Sequence, residues 1–262
     1  MKSHVQIPAS LLNGFADKRY VCRLNDKGEI ERIAIKKCNI EQNYFSEKEE
    51  NILNKYEADF GRLKKHIIDA YNKNKYSTVF RDAEQAEIAV NFFKMCIARN
   101  PAYIKELATS SILYGCCDGI FSSQGFAIYA TMQNKETFEK MWKKKNFCVI
   151  RNESSNVGFV IPQNCIYSVK FNDNAEMYVL PITNRLAIAL LDENKIEKYY
   201  VDEEKYYYTH TINNSLVDLF NKCAIYQEFA SNKNDKFKCV YAQDRNDLES
   251  YSIKEVLGRN AI

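Results

Sequence analysis

The stretch EMYVLPITNRLAIALL, residues 176–191, carries two short runs of β-branched, aromatic and aliphatic side chains on either side of Thr183-Asn184. Runs of this length and composition, bounded by polar residues, read as strands of a packed sheet. FCVIR (147–151), VGFVI (157–161), IYSVKF (166–171) and KYYVDEE (198–204) repeat the composition, separated by clusters of Asn, Ser, Asp and Glu. The chain from residue 147 onward is therefore predicted to form an antiparallel sheet. A helix over about 213–230 follows, and FKCVYAQ (237–243) reads as a last strand before a charged tail.

Upstream of residue 147 the period changes. Ser46 and Glu49 have the spacing of a capping box, and Ile52, Tyr56, Phe60, Leu63, Ile67 and Tyr71 recur three or four apart, which predicts a helix over 46–73. A second box, Asp82 with Gln85, opens AEQAEIAVNFFKMCIAR (83–99), whose Ile88, Phe92, Met95, Cys96 and Arg99 share one stripe. Pro101 removes a backbone donor and disfavours helix at Asn100, so this helix ends or kinks there. AYIKELATSSILYG (102–115) and residues 120–145 resume a helical pattern. Nearer the start, RYVCRLNDKGEIERIAI (19–35) alternates on both sides of Asp26-Lys27-Gly28 and predicts a β-hairpin. VQIPASLLNGFA (5–16) offers a short helical turn opened by Pro8 and closed by Gly14, apolar enough to plug a seam between the helices and the β-rich half. The expected fold is α+β. The expected organisation is a single domain: a hairpin plus a mainly helical half over 1–146, then a β-rich half with a late helix over 147–262.

The chain has 262 residues, 46% hydrophobic and 27% charged, enough to bury a sizeable core. No window approaches the roughly 18 consecutive apolar residues of a membrane helix. The start of the chain shows no secretory signal, so a cytoplasmic protein is expected. The nine cysteines are scattered, odd in number and without C-x-x-C spacing, which favours small buried thiols over disulfides or zinc. The vicinal Cys116-Cys117 pair is the exception that invites a redox test. His4, His66 and His210 show no metal-ligand spacing, and no metal or cofactor is expected. A net charge of +3 is too mild to predict nucleic acid. MWKKKNF (141–147) sets three lysines among aromatics, readable either as a phosphate-tracking patch or as a solvated helix end. The high Lys, Asn, Tyr and Ile content matches an A/T-rich bacterial coding bias.

Arg99 stands out because it lies on an apolar stripe near the end of a helix that otherwise reads as buried. A guanidinium there needs a partner. Glu49, Glu50, Glu57, a helix-end carbonyl, or the phosphate or carboxylate of a ligand could supply it. Glu57 lies beside Tyr56 and Phe60 and reads as a solvated flank or a site carboxylate. Tyr206, Tyr207 and Tyr208, ahead of Thr209-His210, could line a groove or cover a sheet face.

VQIPASLLNGFA, the hairpin, IEQNYFS, the Glu-rich helix from Ser46, ARNP, VGFVIPQNCI, VLPITNRLAI and a late helix with Asn213 and Asn221 occur in this order over nearly the whole chain. In that order the chain resembles the domain-of-unknown-function 4238 family. Those bacterial proteins typically open His-Tyr-Val-Pro-Gln with a Leu-x-Asn-Phe ending, carry Arg-x-Pro after their second long helix, and have a Ser-Asp-Asn-Pro turn in the C-terminal sheet. Aligned on Pro8, Leu12 and Phe15, the family's histidine falls on Val5, with His4 one residue upstream. Aligned on Phe159 and Asn164, the turn becomes Pro162, Gln163, Asn164, Cys165. Arg99 and Pro101 match. Both departures remove ionisable chemistry, since a neutral Gln is no general base, although Asn164 keeps the capacity for Asx-type hydrogen bonds. The resemblance implies no settled activity.

Two function classes follow. One is an interaction or ligand-binding module, for instance in phage defence or stress, binding a protein partner or a small ligand. It is favoured by the lack of a nucleophile elbow, a P-loop or a Gly-rich dinucleotide turn. The candidate ligand contacts are Arg99, Gln6, Gln163, Asn164 and His4. The alternative is a nuclease-like hydrolase, with Arg99 on phosphate and His4, His210 or Glu57 as acid or base. It requires those groups to converge in space.

Overall fold

The short helix α1 (Ala9–Leu12) follows the first strand, β1 (Lys2–His4), and begins directly after Pro8. A turn of 3₁₀ helix over Asn13–Phe15 continues it. The structure, a computed structural model, describes residues 2–4, 6–42, 44–75, 78–80, 82–100, 103, 131–132, 145–153, 156–170, 176–192, 209–231 and 238–258. Ile7, Leu11, Leu12 and Phe15 are all fully buried, so the opening segment is part of the core. Ser10 Oγ donates to Glu57 at 3.2 Å, and Lys64 Nζ donates to the Ser10 carbonyl at 2.6 Å. On the opposite side Gly14 lies against the Ile182 carbonyl so closely that a Cβ would sit 1.9 Å from it. The segment is wedged between a helix and a sheet.

The hairpin forms as expected: β2 (Tyr20–Asn25) and β3 (Ile30–Ala34) pair antiparallel. Asn25 Oδ1 accepts from the Lys27 and Glu29 amides, and Gly28 takes a φ of +82°, which a residue without Cβ adopts at little cost. β4 (Ile40–Gln42) then pairs antiparallel with β1, setting His4 opposite Ile40. This two-stranded ribbon was not expected from the sequence.

Helix α2 (Glu47–Asn72) carries the complete capping box, with Glu49 N donating to Ser46 Oγ at 3.3 Å and Ser46 N to Glu49 Oε2 at 2.7 Å. Helix α3 (Ala83–Ala98) packs on it, with Phe60 and Phe92 stacked at 3.6 Å between ring centroids. Only half of the second capping box forms. Asp82 accepts from the Gln85 amide at 2.8 Å, but Gln85 Oε1 is taken by the amide of Phe80, a residue with a φ of +52°. α3 ends at Arg99, ahead of Pro101. The helices expected over 102–115 and 120–145, Cys116-Cys117 and the strand expected in KYYVDEE lie outside the described residues, apart from Tyr103, Thr131, Met132 and Lys145.

The C-terminal strands are β5 (Lys145–Asn152), β6 (Ile161–Pro162), β7 (Tyr167–Lys170), β8 (Glu176–Pro181), β9 (Leu186–Asp192), β10 (Thr209–Ile212) and β11 (Cys239–Ala242). They divide between two sheets instead of forming one. A five-stranded sheet runs β10-β5-β9-β8-β7, antiparallel except that β10 lies parallel to β5. A four-stranded sheet runs β3-β2-β11-β6, so the N-terminal hairpin is completed by the last strand of the chain. The fold is α+β, as expected.

Helix α4 (Asn214–Ser231) joins the sheets by side chains. Gln227 exchanges hydrogen bonds with the Ser168 amide and carbonyl and so occupies the outer edge of β7, an edge that would otherwise stay open. Asn221 accepts from the Val160 amide at 3.0 Å and donates to the Gly158 carbonyl at 2.9 Å. VGFVI is therefore not a strand before Ile161: its backbone groups are taken by Asn221, by Asp247 on Gly158 N, and by the Asn184 carbonyl on Phe159 N. The expected charged tail instead folds as α5 (Asn246–Glu249) and α6 (Ile253–Gly258), burying Leu248, Tyr251 and Val256.

Candidate functional site

Arg99 occupies the C-cap of α3 and is only 3% exposed. Its Nη2 donates to Glu57 Oε1 at 2.6 Å, and its guanidinium lies 5.5 Å from the centroid of the Phe45 ring. Glu57 is positioned by α2, and its other oxygen accepts from Ser10 in the opening segment. Nε and Nη1 of Arg99 are buried without an acceptor among the described residues. Because Nη2 has two hydrogens and Glu57 takes one, the guanidinium keeps unused donors on all three of its nitrogens.

His4 is brought to Arg99 by the β1–β4 pairing, so the missed ribbon is what places it. Burial and the Arg99 charge hold its pKa below the usual histidine value, while the Cys38 carbonyl, accepting from the ring, works the other way. The ring is thus neutral near pH 7, and Nδ1 is shielded from solvent with no partner among the described residues. Gln6, two residues on, is buried between β1 and α1.

The turn between β6 and β7 carries the remaining contacts expected from the sequence, Gln163 and Asn164. Cys165 sits at a φ of +65° with its thiol donating to the Gln163 carbonyl at 3.7 Å. Burial pushes the Cys165 thiol up strongly, and it feels the opposing charges of Arg99 and Glu228. Asn164 N and Nδ2 both donate to Glu228 Oε2, at 3.3 and 3.2 Å, leaving Asn164 Oδ1 without a donor among the described residues. Gln163 is fully buried. Its amide donates to the Cys239 carbonyl, and its Oε1 accepts from Cys239 Sγ at 3.3 Å. Cys239 Sγ in turn bonds Tyr241 Oη, which accepts from Asn39 Nδ2 at 2.7 Å. At the end of this chain Gln163 Nε2 has no partner among the described residues. His210 lies elsewhere in the topology, on edge strand β10 in register with Ile150.

Reasoning from sequence missed Glu228, Cys165 and the Asn39-Tyr241-Cys239 chain. Glu228 carried the same signal as Arg99, an ionic residue on an inward helical stripe, here in AIYQEFA. Asn39 meets Cys239 and Tyr241 across some 200 residues, which no local pattern reports.

Chemically, the arrangement sets a buried cation with unused donors on one carboxylate and within the field of a neutral imidazole, while the Asn164 and Gln163 amides are bonded to Glu228 and Cys239. Among the described residues no group of three or more His, Cys, Asp or Glu is placed to hold a metal ion. Nor is any described helix long and apolar enough to cross a membrane. No family model matches the chain, and neither a curated protein nor a solved structure is significantly similar to it.

Proposed function

We propose that the chain is a binding module for a small anionic ligand held at Arg99, a cytoplasmic protein and a divergent member of the 4238 family. The observation that supports this reading is the guanidinium whose Nε and Nη1 have no acceptor while Nη2 holds Glu57. Charged donors left unmet in an interior cost free energy that natural proteins rarely accept without a use. A carboxylate or phosphate on these donors would remove that cost. The test is thermal unfolding with acetate, succinate, inorganic phosphate and nucleoside monophosphates, for the parent protein and Arg99→Lys. One class of anion should raise the parent midpoint, by the equivalent of about 2.7 kcal/mol at 100 times its Kd, and leave Arg99→Lys unmoved. No shift with any of the anions would reduce Arg99 to a structural ion-pair member.

A hydrolase is the second reading, favoured by the neutral His4 beside Arg99 and Glu57. Nδ1 of His4 has the lone pair a general base requires. Phosphodiester or phosphomonoester turnover that is lost in His4→Gln while anion binding persists would establish it.

A further inference from the structure

We infer that the end of the hairpin around Tyr20, a surface separate from Arg99, docks single-stranded nucleic acid. Asp17 and Tyr20 exchange backbone hydrogen bonds of 2.9 Å, closing a two-residue turn with Lys18-Arg19 at its tip. Both tip residues take a positive φ, +47° and +71°, in a turn for which Asn-Gly is the unstrained choice. Two long cationic side chains are thus held at the tip at a cost in backbone energy, and such strain gathers where side chains are in use. The Arg19 carbonyl accepts from the Ile35 amide, so the tip lies against the 3₁₀ turn Ile35–Lys37, which adds Lys36 and Lys37. Lys18, Arg19, Lys36 and Lys37 are exposed, and none of them makes an ion pair among the described residues.

The carboxylates nearby are few or already engaged. Asp17 accepts from Arg32 at 2.8 Å, and Glu31 is taken by Arg23. Asp26 and Glu29 belong to the turn at the far end of the hairpin. Asp244, which follows β11, acts on Cys22 together with Arg32 and Arg245. In the middle of the cations stands Tyr20, opposite Ala34 in the strand register and 44% exposed, one of two exposed large hydrophobic side chains among the described residues. The Arg32 guanidinium lies 5.0 Å from its ring centroid. Cations that follow phosphates around an exposed aromatic ring that stacks a base are the means by which proteins hold single strands. Charge alone would suit a duplex, an anionic membrane or an acidic peptide equally. The ring selects a strand with unpaired bases, because the bases of a duplex are stacked on one another.

Fluorescence anisotropy of the full chain with labelled oligouridine and oligothymidine of about 12 nucleotides tests this. A duplex and an oligoglutamate of the same length serve as competitors, and phosphatidylserine vesicles as a separate binding target. The strands should bind, with affinity falling about fiftyfold between about 50 and 200 mM salt, a slope of about −2.8 for about four phosphate contacts. Tyr20→Leu should weaken binding at least about fivefold at an unchanged slope. Lys18→Asn with Arg19→Gly gives the turn its favoured residues, so the thermal midpoint should hold or rise while the slope falls to about −1.4. The inference is overturned if neither strand binds at about 50 mM salt, if vesicles bind and the strands do not, or if duplex or oligoglutamate competes as well as unlabelled strand. Parent-like binding by Tyr20→Leu, or a parent-like slope in the turn variant, places the strand elsewhere and overturns it too. None of these outcomes bears on the anion reading at Arg99.

Discussion

Glu57 and Arg99 share a hydrogen bond in which the cation is buried far more deeply than the anion, at 3% against 19% exposure. Removing the carboxylate is therefore the more costly cut, because it leaves a desolvated guanidinium with no counter-charge. Glu57→Gln should lose about 2–4 kcal/mol in chemical denaturation, and Arg99→Met combined with Glu57→Gln should recover more than 1 kcal/mol of it. Simple additivity would show that the pair is not coupled. His4 gives a pH signature. Its pKa is lowered in the folded state, so the unfolded chain binds the proton more readily, and stability is full above about pH 6.5. It falls as the pH drops from there towards the folded value. Urea titrations between pH 7.5 and 5 should show this loss, and His4→Gln should flatten it; an equal slope in the variant would mean that other groups carry it. Arg99 was legible in the sequence because a guanidinium interrupts an apolar stripe, but its partner could have been any of three glutamates, a helix-end carbonyl or a ligand anion. Only the crossing of α2 and α3 selects Glu57.

Among the elements, those set by local chemistry were readable and those set by distant partners were not. The box at Ser46, the stripe from Ile52 to Tyr71 and the Asn25–Gly28 turn act within a few residues, so the sequence displays them. VGFVI has the composition of a strand, yet Asn221 and Asp247 take its backbone groups from 61 and 89 residues away. β1 is a strand only because β4 lies beside it. The opening segment was legible as an apolar plug but not in its fit, which Gly14 now specifies. A Cβ at Gly14 would lie 1.9 Å from a backbone oxygen of Ile182, with Lys64 Nζ 3.2 Å away. Neither the end of β8 nor the 3₁₀ turn can yield that distance alone, so the segment must lift. Gly14→Ala should cost about 2–4 kcal/mol and expose the bonds around Phe15 to chymotrypsin under native conditions. Parent-like stability and cleavage would show that the plug is not held there.

At the scale of the molecule, the four-stranded sheet binds the two ends of the chain together. β11 lies between β2 from the start and β6 from the middle, in register from Cys239 opposite Asn25 to Ala242 opposite Cys22. Tyr241 also accepts from Asn39, and Cys239 bonds Gln163, so the strand that closes the sheet also holds two buried polar side chains. The helical and β-rich halves seen in composition share a sheet: the hairpin of the first finds its neighbour in the second. A chain ending at residue 238 would leave β2 with only β3, and an isolated two-stranded ribbon is marginal in water. It would also lose the buried side chains of Val240, Tyr241, Leu248, Tyr251 and Val256. At about 1.5–3 kcal/mol for each large apolar side chain, that loss is comparable with the whole stability of about 5–15 kcal/mol expected of a domain. The truncated chain should therefore show no cooperative thermal transition, and separately expressed 1–146 and 147–262 should not fold alone. A sharp transition in the 1–238 chain would mean that the hairpin and helices stand without β11, and Gln163 would then need another anchor.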